Sequence, residues 1–107
     1  MFEFIETPFF TRAIERYLDD DEYAKLQAHL NEHPEAGALV AGSGGVRKVR
    51  WAAEGRGKRG GLRVIYYLLR ARSHIWMLTV YGKNVRETIA PHILRQMKEA
   101  IDDAKDD

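Results

Sequence analysis

The chain has 107 residues, 45% hydrophobic and 31% charged, with a formal net charge of +1 and no cysteine. This is enough apolar side chain for one core and too little length for two, so residues 1–107 are expected to form a single domain. Without cysteine there are no disulfides, thiolate metal sites or cysteine nucleophiles, and no apolar run approaches the roughly 18 residues of a membrane span, so a cytoplasmic protein without a membrane partner is expected.

Phe2 to Glu6 alternates apolar and acidic residues and predicts a short strand. Thr7-Pro8 then has the form of an N-cap followed by proline in the first helical turn. Phe10, Ala13, Ile14, Tyr17 and Leu18 fall on one helical face. The acidic cluster Asp19–Glu22 restarts a helix, its carboxylates placed at the positive end of the helix dipole, and Tyr23, Leu26 and Leu30 supply the buried stripe. Pro34 ends this helix near His33. A link this short predicts an antiparallel helical hairpin.

Residues 37–45 are expected to be loop. Val46 to Ala53 alternates, with Val49 and Trp51 on one face and Lys48 and Arg50 on the other. Glu54 to Gly61 is a glycine-rich basic connection. Leu62–Leu69 and Ile75–Tyr81 are apolar on both faces and predict central strands, joined by a hairpin turn at Arg70–Ser73. From Pro91, the spacing of Ile93, Leu94, Met97, Ala100, Ile101 and Ala104 predicts a final amphipathic helix. The order is β-α-α-β-β-β-α. It implies an α+β fold in which a helical hairpin packs on one face of a small, mostly antiparallel sheet, with the basic strand at the other face.

The charge is segregated. Residues 42–83 hold ten Lys/Arg and one acid, Glu54, whereas residues 1–41 hold three bases and nine acids. A cationic middle between acidic ends predicts one positive face fitted to a polyanion, most simply nucleic-acid phosphate. The alternative is a solvated basic surface without a ligand. Trp51, Trp76, Tyr66 and Tyr67 could stack on bases, although aromatics on central strands are usually core. The histidines are scattered: His29 and His33 are four apart, but with His74 and His92 they form no metal-site pattern, and the glycine loop lacks the ending of a nucleotide-binding P-loop, so neither metal nor other cofactor is expected.

Three segments carry a resemblance: Gly44-Gly45-Val46-Arg47-Lys48-Val49-Arg50, Gly57-Lys58-Arg59-Gly60-Gly61-Leu62-Arg63-Val64-Ile65-Tyr66-Tyr67, and Leu78-Thr79-Val80-Tyr81-Gly82-Lys83-Asn84. With the element order, they resemble the RelE/HigB family of bacterial type II toxins, in particular its HigB-like branch. The resemblance implies a microbial RNase-like fold, ribosome-dependent cleavage of mRNA, and a partner antitoxin with a helix-turn-helix domain. Carried over by position, Lys48 and Arg50 match the basic pair of the second strand, Arg63 matches the arginine opening the third, and Tyr81, Lys83 and Asn84 match the segment at and after the fourth.

Metal-independent RNA cleavage loads negative charge on the phosphoryl oxygens, and a well-placed fixed donor lowers that barrier by about 3–4 kcal/mol. Arg63 suits this role through its two-pronged guanidinium. Lys48 and Arg50 would hold phosphates, and Tyr81 or Lys83 would move protons. Arg47, Arg56, Lys58, Arg59 and Asn84 are expected to bind mRNA or rRNA. The general acid is unassigned, with His92 one candidate. Two other functions stay open: a non-enzymatic gyrase inhibitor like the ParE branch of the same fold, and an RNA-binding module that does not cut.

Overall fold

β1 (Glu3–Glu6) runs through Thr7 into α1 (Pro8–Ile14), followed by α2 (Asp20–Glu32), β2 (Ala38–Leu39), β3 (Arg47–Trp51), β4 (Leu62–Leu69), β5 (His74–Gly82) and α3 (Pro91–Asp103). The computed structural model describes residues 1–52, 61–83, 85 and 89–104. The strands form one sheet in the order β1-β5-β4-β3-β2, with β1 parallel to β5 and the other pairs antiparallel. The fold is therefore α+β with a mixed, mostly antiparallel sheet, as the element order implied.

Local sequence explains the helix boundaries. Thr7 caps α1, its hydroxyl accepting from the Phe10 N–H at 3.2 Å, with proline in the first turn. Asp19 and Glu22 form a capping box at the start of α2: each side chain accepts from the other's backbone N–H, at 2.8 and 3.1 Å. His33 closes α2 immediately before Pro34. The stripe expected to run through Leu18 is present, but α1 itself stops at Ile14. Leu18 remains buried in the turn beyond.

The sheet separates two apolar layers. Phe10, Ile14, Leu26 and Leu30 of the first two helices pack with Val49, Val64, Tyr66, Ile75, Met77 and Val80. On the opposite face, Leu94 and Ile101 of α3 pack with Val46, Ile65, Leu78 and Tyr81. β4 and β5 contribute to both layers, which is why their sequences lack alternation.

The segment expected to be loop over 37–45 contains a two-residue strand. Ala38 and Leu39 pair with Lys48 and Arg47. Both are exposed, so no hydrophobic signal marks them. The approach of this edge requires Gly37: a Cβ there would sit 2.9 Å from the Tyr66 ring and 3.0 Å from the Lys48 backbone. The buried Tyr66 hydroxyl fixes the same corner, accepting from the Gly37 N–H at 2.9 Å and donating to the Pro34 carbonyl at 2.7 Å. The expected turn at 70–73 is a single 3₁₀ turn closed by Ser73 at φ 56°.

β5 contains a bulge. Tyr66 stands opposite Met77 and Ile65 opposite Thr79, so Leu78 is the extra residue. Its carbonyl accepts from the Thr7 hydroxyl at 2.7 Å, and the Met77 carbonyl accepts from the Thr7 N–H at 3.1 Å. Thr7 thus caps α1 and fastens it beside β5 where β1 ends. Thr7→Val, which keeps the shape and removes the hydroxyl, is expected to destabilise the fold by about 1–3 kcal/mol in urea unfolding.

α3 is held to the sheet by Tyr67, whose hydroxyl donates to the Asp102 carboxylate at 2.6 Å, while the Lys98 ammonium lies 2.6 Å from the other oxygen. Burial pushes the Asp102 carboxyl upward, but the bonds from Lys98 and Tyr67 outweigh it and hold it below the usual aspartate range. A depressed carboxyl stabilises the fold above the unfolded-state pKa and loses that contribution as pH falls through the folded-state value. The triad is partly exposed, so its contribution is under about 1 kcal/mol. The stability difference between wild type and Asp102→Asn is expected to be full at neutral pH and to shrink towards zero on acid titration, as read by urea melts.

Candidate phosphate-binding face

The antiparallel register assembles the basic residues. Arg50 stands directly opposite Arg63, and Arg63 directly opposite Tyr81. Directly paired residues project from the same face of a sheet. The three therefore form a row across β3, β4 and β5, with about 4.5–5.5 Å between successive Cα atoms. Lys48, two residues before Arg50, lies on the same face in the next row, opposite Ile65. This is the face that α3 covers further along through Val46, Ile65 and Leu78.

Arg50 is exposed, and Lys48 and Arg63 are half-buried. Lys83, just past the end of β5, is exposed. Tyr81 is only 6% exposed, its ring packed with the α3 layer. It forms a wall of the face, leaving Lys83 as the solvent-facing member of the pair considered for proton movement. The Arg63 guanidinium donates to the Gly61 carbonyl at 3.1 Å, which ties the side chain to the start of its own strand. Gly61 adopts φ +61°, and a Cβ there would collide with the Trp51 carbonyl. The glycine is what lets the chain enter β4 tightly against the end of β3.

Arg47, also expected to bind RNA, is not brought to this row. Alternation along β3 turns it to the other face, where its guanidinium donates to the Gly37 carbonyl at 2.7 Å. Arg56, Lys58, Arg59 and Asn84 lie outside the described residues. Two further cations of the basic middle are engaged away from the row: Arg70 pairs with Glu35, holding that carboxyl below its usual range, and Arg72 donates to the Ala104 carbonyl at 3.0 Å. His92 is exposed in the first turn of α3.

The sequence did not directly signal a groove that the α1 segment forms beside β5. A groove of about 270 Å³ between α1 and the end of β5 is lined by Arg12, Arg16 and Tyr81 among others. The available signal was that Arg12 and Arg16 are two of only three bases among nine acids in residues 1–41.

No family model matches the chain. Its backbone superposes on a chain of the intact E. coli RelBE toxin–antitoxin complex with a TM-score of 0.57 and 19% sequence identity, over 80% of this chain and 100% of that one. It also matches the isolated E. coli RelE toxin with a TM-score of 0.52 and 18% identity, over 95% of this chain and 97% of that one. The chain has the RelE fold. On this RelE-like sheet, the Arg50–Arg63–Tyr81 row is a property of the chain's own register.

Placing Arg50 opposite Arg63 carries a cost, because like charges directly paired across strands destabilise a sheet by up to about 1 kcal/mol. An anion between them reverses the sign. Arg50→Thr, a β-favouring substitution, is therefore expected to leave ligand-free stability unchanged or up to about 1 kcal/mol higher. Its affinity for a single-stranded oligoribonucleotide should fall, with the logarithmic salt slope becoming shallower by about 0.7, one single-strand phosphate contact. Calorimetry and anisotropy titrations at several salt concentrations measure the two effects.

Proposed function

We propose that this protein is the toxin of a type II toxin–antitoxin system, of the HigB-like branch, acting in the cytoplasm as a ribosome-dependent mRNA endoribonuclease. The observation that carries this reading is the Arg50–Arg63–Tyr81 row, with Lys48 beside it, on a RelE-fold sheet. A gyrase-binding protein has no need of a converging phosphate site. Among the described residues, no helix is long and apolar enough to cross a membrane.

In the proposed reaction the ribose 2′-hydroxyl attacks the adjacent phosphorus. The 2′-oxygen–phosphorus bond forms, the phosphorus–5′-oxygen bond breaks, and the products end in a 2′,3′-cyclic phosphate and a 5′-hydroxyl. One proton leaves the 2′-hydroxyl and one reaches the departing 5′-oxygen. Arg63 binds the two non-bridging oxygens as charge develops on them. Lys48 and Arg50 position the scissile and neighbouring phosphates, and Lys83 serves proton movement. Tyr81 limits where the phosphate can sit. The partner is an antitoxin with a helix-turn-helix domain, whose acidic or amphipathic segment covers the cationic face.

Arg63→Ala is expected to lower cleavage of translated mRNA by about 100-fold or more, the loss of one preorganised oxyanion donor, while keeping its thermal unfolding cooperative. Primer extension on mRNA isolated from a translating extract locates the cuts, and end-group analysis identifies the termini. Undiminished cleavage by Arg63→Ala, or products with 5′-phosphates, would rule out this mechanism. Arrest of DNA replication with protein synthesis intact would point instead to the gyrase-inhibitor function.

A further inference from the structure

The geometry points to a second RNA subsite beside the phosphate row: the groove between α1 and the free end of β5 holds the nucleotide next to the scissile phosphate, with its base on Phe9 or Tyr17 and its phosphate on Arg12 and Arg16. This inference rests on the nuclease reading and extends it to residues of an otherwise acidic part of the chain.

The groove exists because β1 is short. β1 pairs with β5 only from His74 to Met77. Beyond Met77 the edge of β5 is flanked by α1, fastened by Thr7 to the Met77 and Leu78 carbonyls. The space between them, about 270 Å³, is lined by Phe9, Arg12, Arg16 and Tyr17 on one side and Thr79 to Tyr81 on the other. Among the described residues, no carboxylate lines it. Arg12 on α1 and Arg16 in the turn after it are exposed, while Phe10 and Ile14 take the buried side of α1.

Two features favour nucleic acid. Phe9 is 53% exposed, and the Arg12 guanidinium lies 5.6 Å from its ring centroid. An exposed aromatic ring with a guanidinium over it is a ready surface for a base and its phosphate. The second feature is continuity. Tyr81 lines the groove and also stands opposite Arg63. A strand with one phosphate on Arg63 would pass Tyr81 and round the edge of β5 to reach Arg12 and Arg16, because α1 packs on the opposite face of the sheet. An acidic peptide would satisfy the arginines but would gain less from a flat ring beside them.

The test uses the full chain and a short dye-labelled single-stranded oligoribonucleotide carrying 2′-deoxyribose throughout its cleavable positions. Phe9→Ala is expected to weaken binding about five-fold or more, the lower end of one lost base–aromatic stack. The double variant Arg12→Ala, Arg16→Ala is expected to reduce the logarithmic salt slope by about 1.4, two single-strand phosphate contacts. All three side chains are exposed, so thermal unfolding should stay close to wild type. In the translating extract, both variants should cut less efficiently at limiting protein while giving the same termini. Wild-type protein that neither binds RNA at low salt nor cuts mRNA in the translating extract overturns both the nuclease reading and the subsite. RNA binding that Arg63→Ala weakens but the α1 variants leave unchanged overturns the subsite alone. Unchanged RNA binding together with loss of a co-purifying acidic protein by the α1 variants would assign the groove to that protein instead.

Discussion

One extra residue in β5 decides which way the end of that strand faces. Before the bulge, Ile75 and Met77 point into the layer of α1 and α2. Strict alternation would send Thr79 and Tyr81 after them. Because Leu78 is inserted against the Ile65–Tyr66 step, Val80 fills that layer instead and Tyr81 turns to the face that holds Arg63 and Arg50. A bulge re-aims every side chain beyond it at the cost of one disturbed ladder position. Here the disturbed carbonyl is not left open, since Leu78 accepts from the Thr7 hydroxyl. The same contact seats α1 next to the re-aimed segment, so the wall beside Arg63 and Arg50 and the groove next to it share one origin.

The two faces of the sheet are built to different ends. The α1–α2 face is closed by fully buried Phe10, Leu26, Leu30 and Tyr66, and the one arginine that β3 sends there, Arg47, is absorbed by backbone carbonyls. Bonding its half-buried guanidinium to carbonyls replaces the water it gives up there. The α3 face is closed only along part of its length. α3 covers Val46, Ile65 and Leu78, and its far end is fixed by the Tyr67–Asp102–Lys98 contacts. What remains of that face, at the ends of β3 and β5 and the start of β4, is where Arg50 and Arg63 are paired. A fold optimised only for stability would not set two arginines directly opposite each other across a strand pair.

Much of this was legible in the residues. The alternation of Val49 and Trp51 with Lys48 and Arg50 placed the cations on one face, and Leu62–Leu69 was bounded as the structure has it. The caps at Thr7 and Asp19 were readable because capping chemistry is local. Three features were not. Ala38–Leu39 is a strand by virtue of pairing alone, with both side chains exposed. The bulge lies within Met77-Leu78-Thr79-Val80-Tyr81, where both faces are buried and no alternation exists to be broken. Arg12 and Arg16 join the basic end of the sheet only because the Thr7 contacts bring α1 to the end of β5, which no spacing within residues 1–41 encodes.

The register also bears on what the row can do with an anion. Arg50, Arg63 and Tyr81 are set side by side by backbone ladders on three adjacent strands, so their Cα positions are fixed when the sheet forms. Bringing two flexible cations together in water would cost both their mutual repulsion and their side-chain entropy at the moment of binding. On this sheet the repulsion has been met during folding, and Gly61 adds a carbonyl that restrains Arg63 further. On the proposed function, a phosphate bound there would meet cations already in place, and a transition state with more negative charge would gain more from them than the ground state does. That difference between ground state and transition state, not the tightness of binding, is what allows a cationic surface to accelerate a reaction.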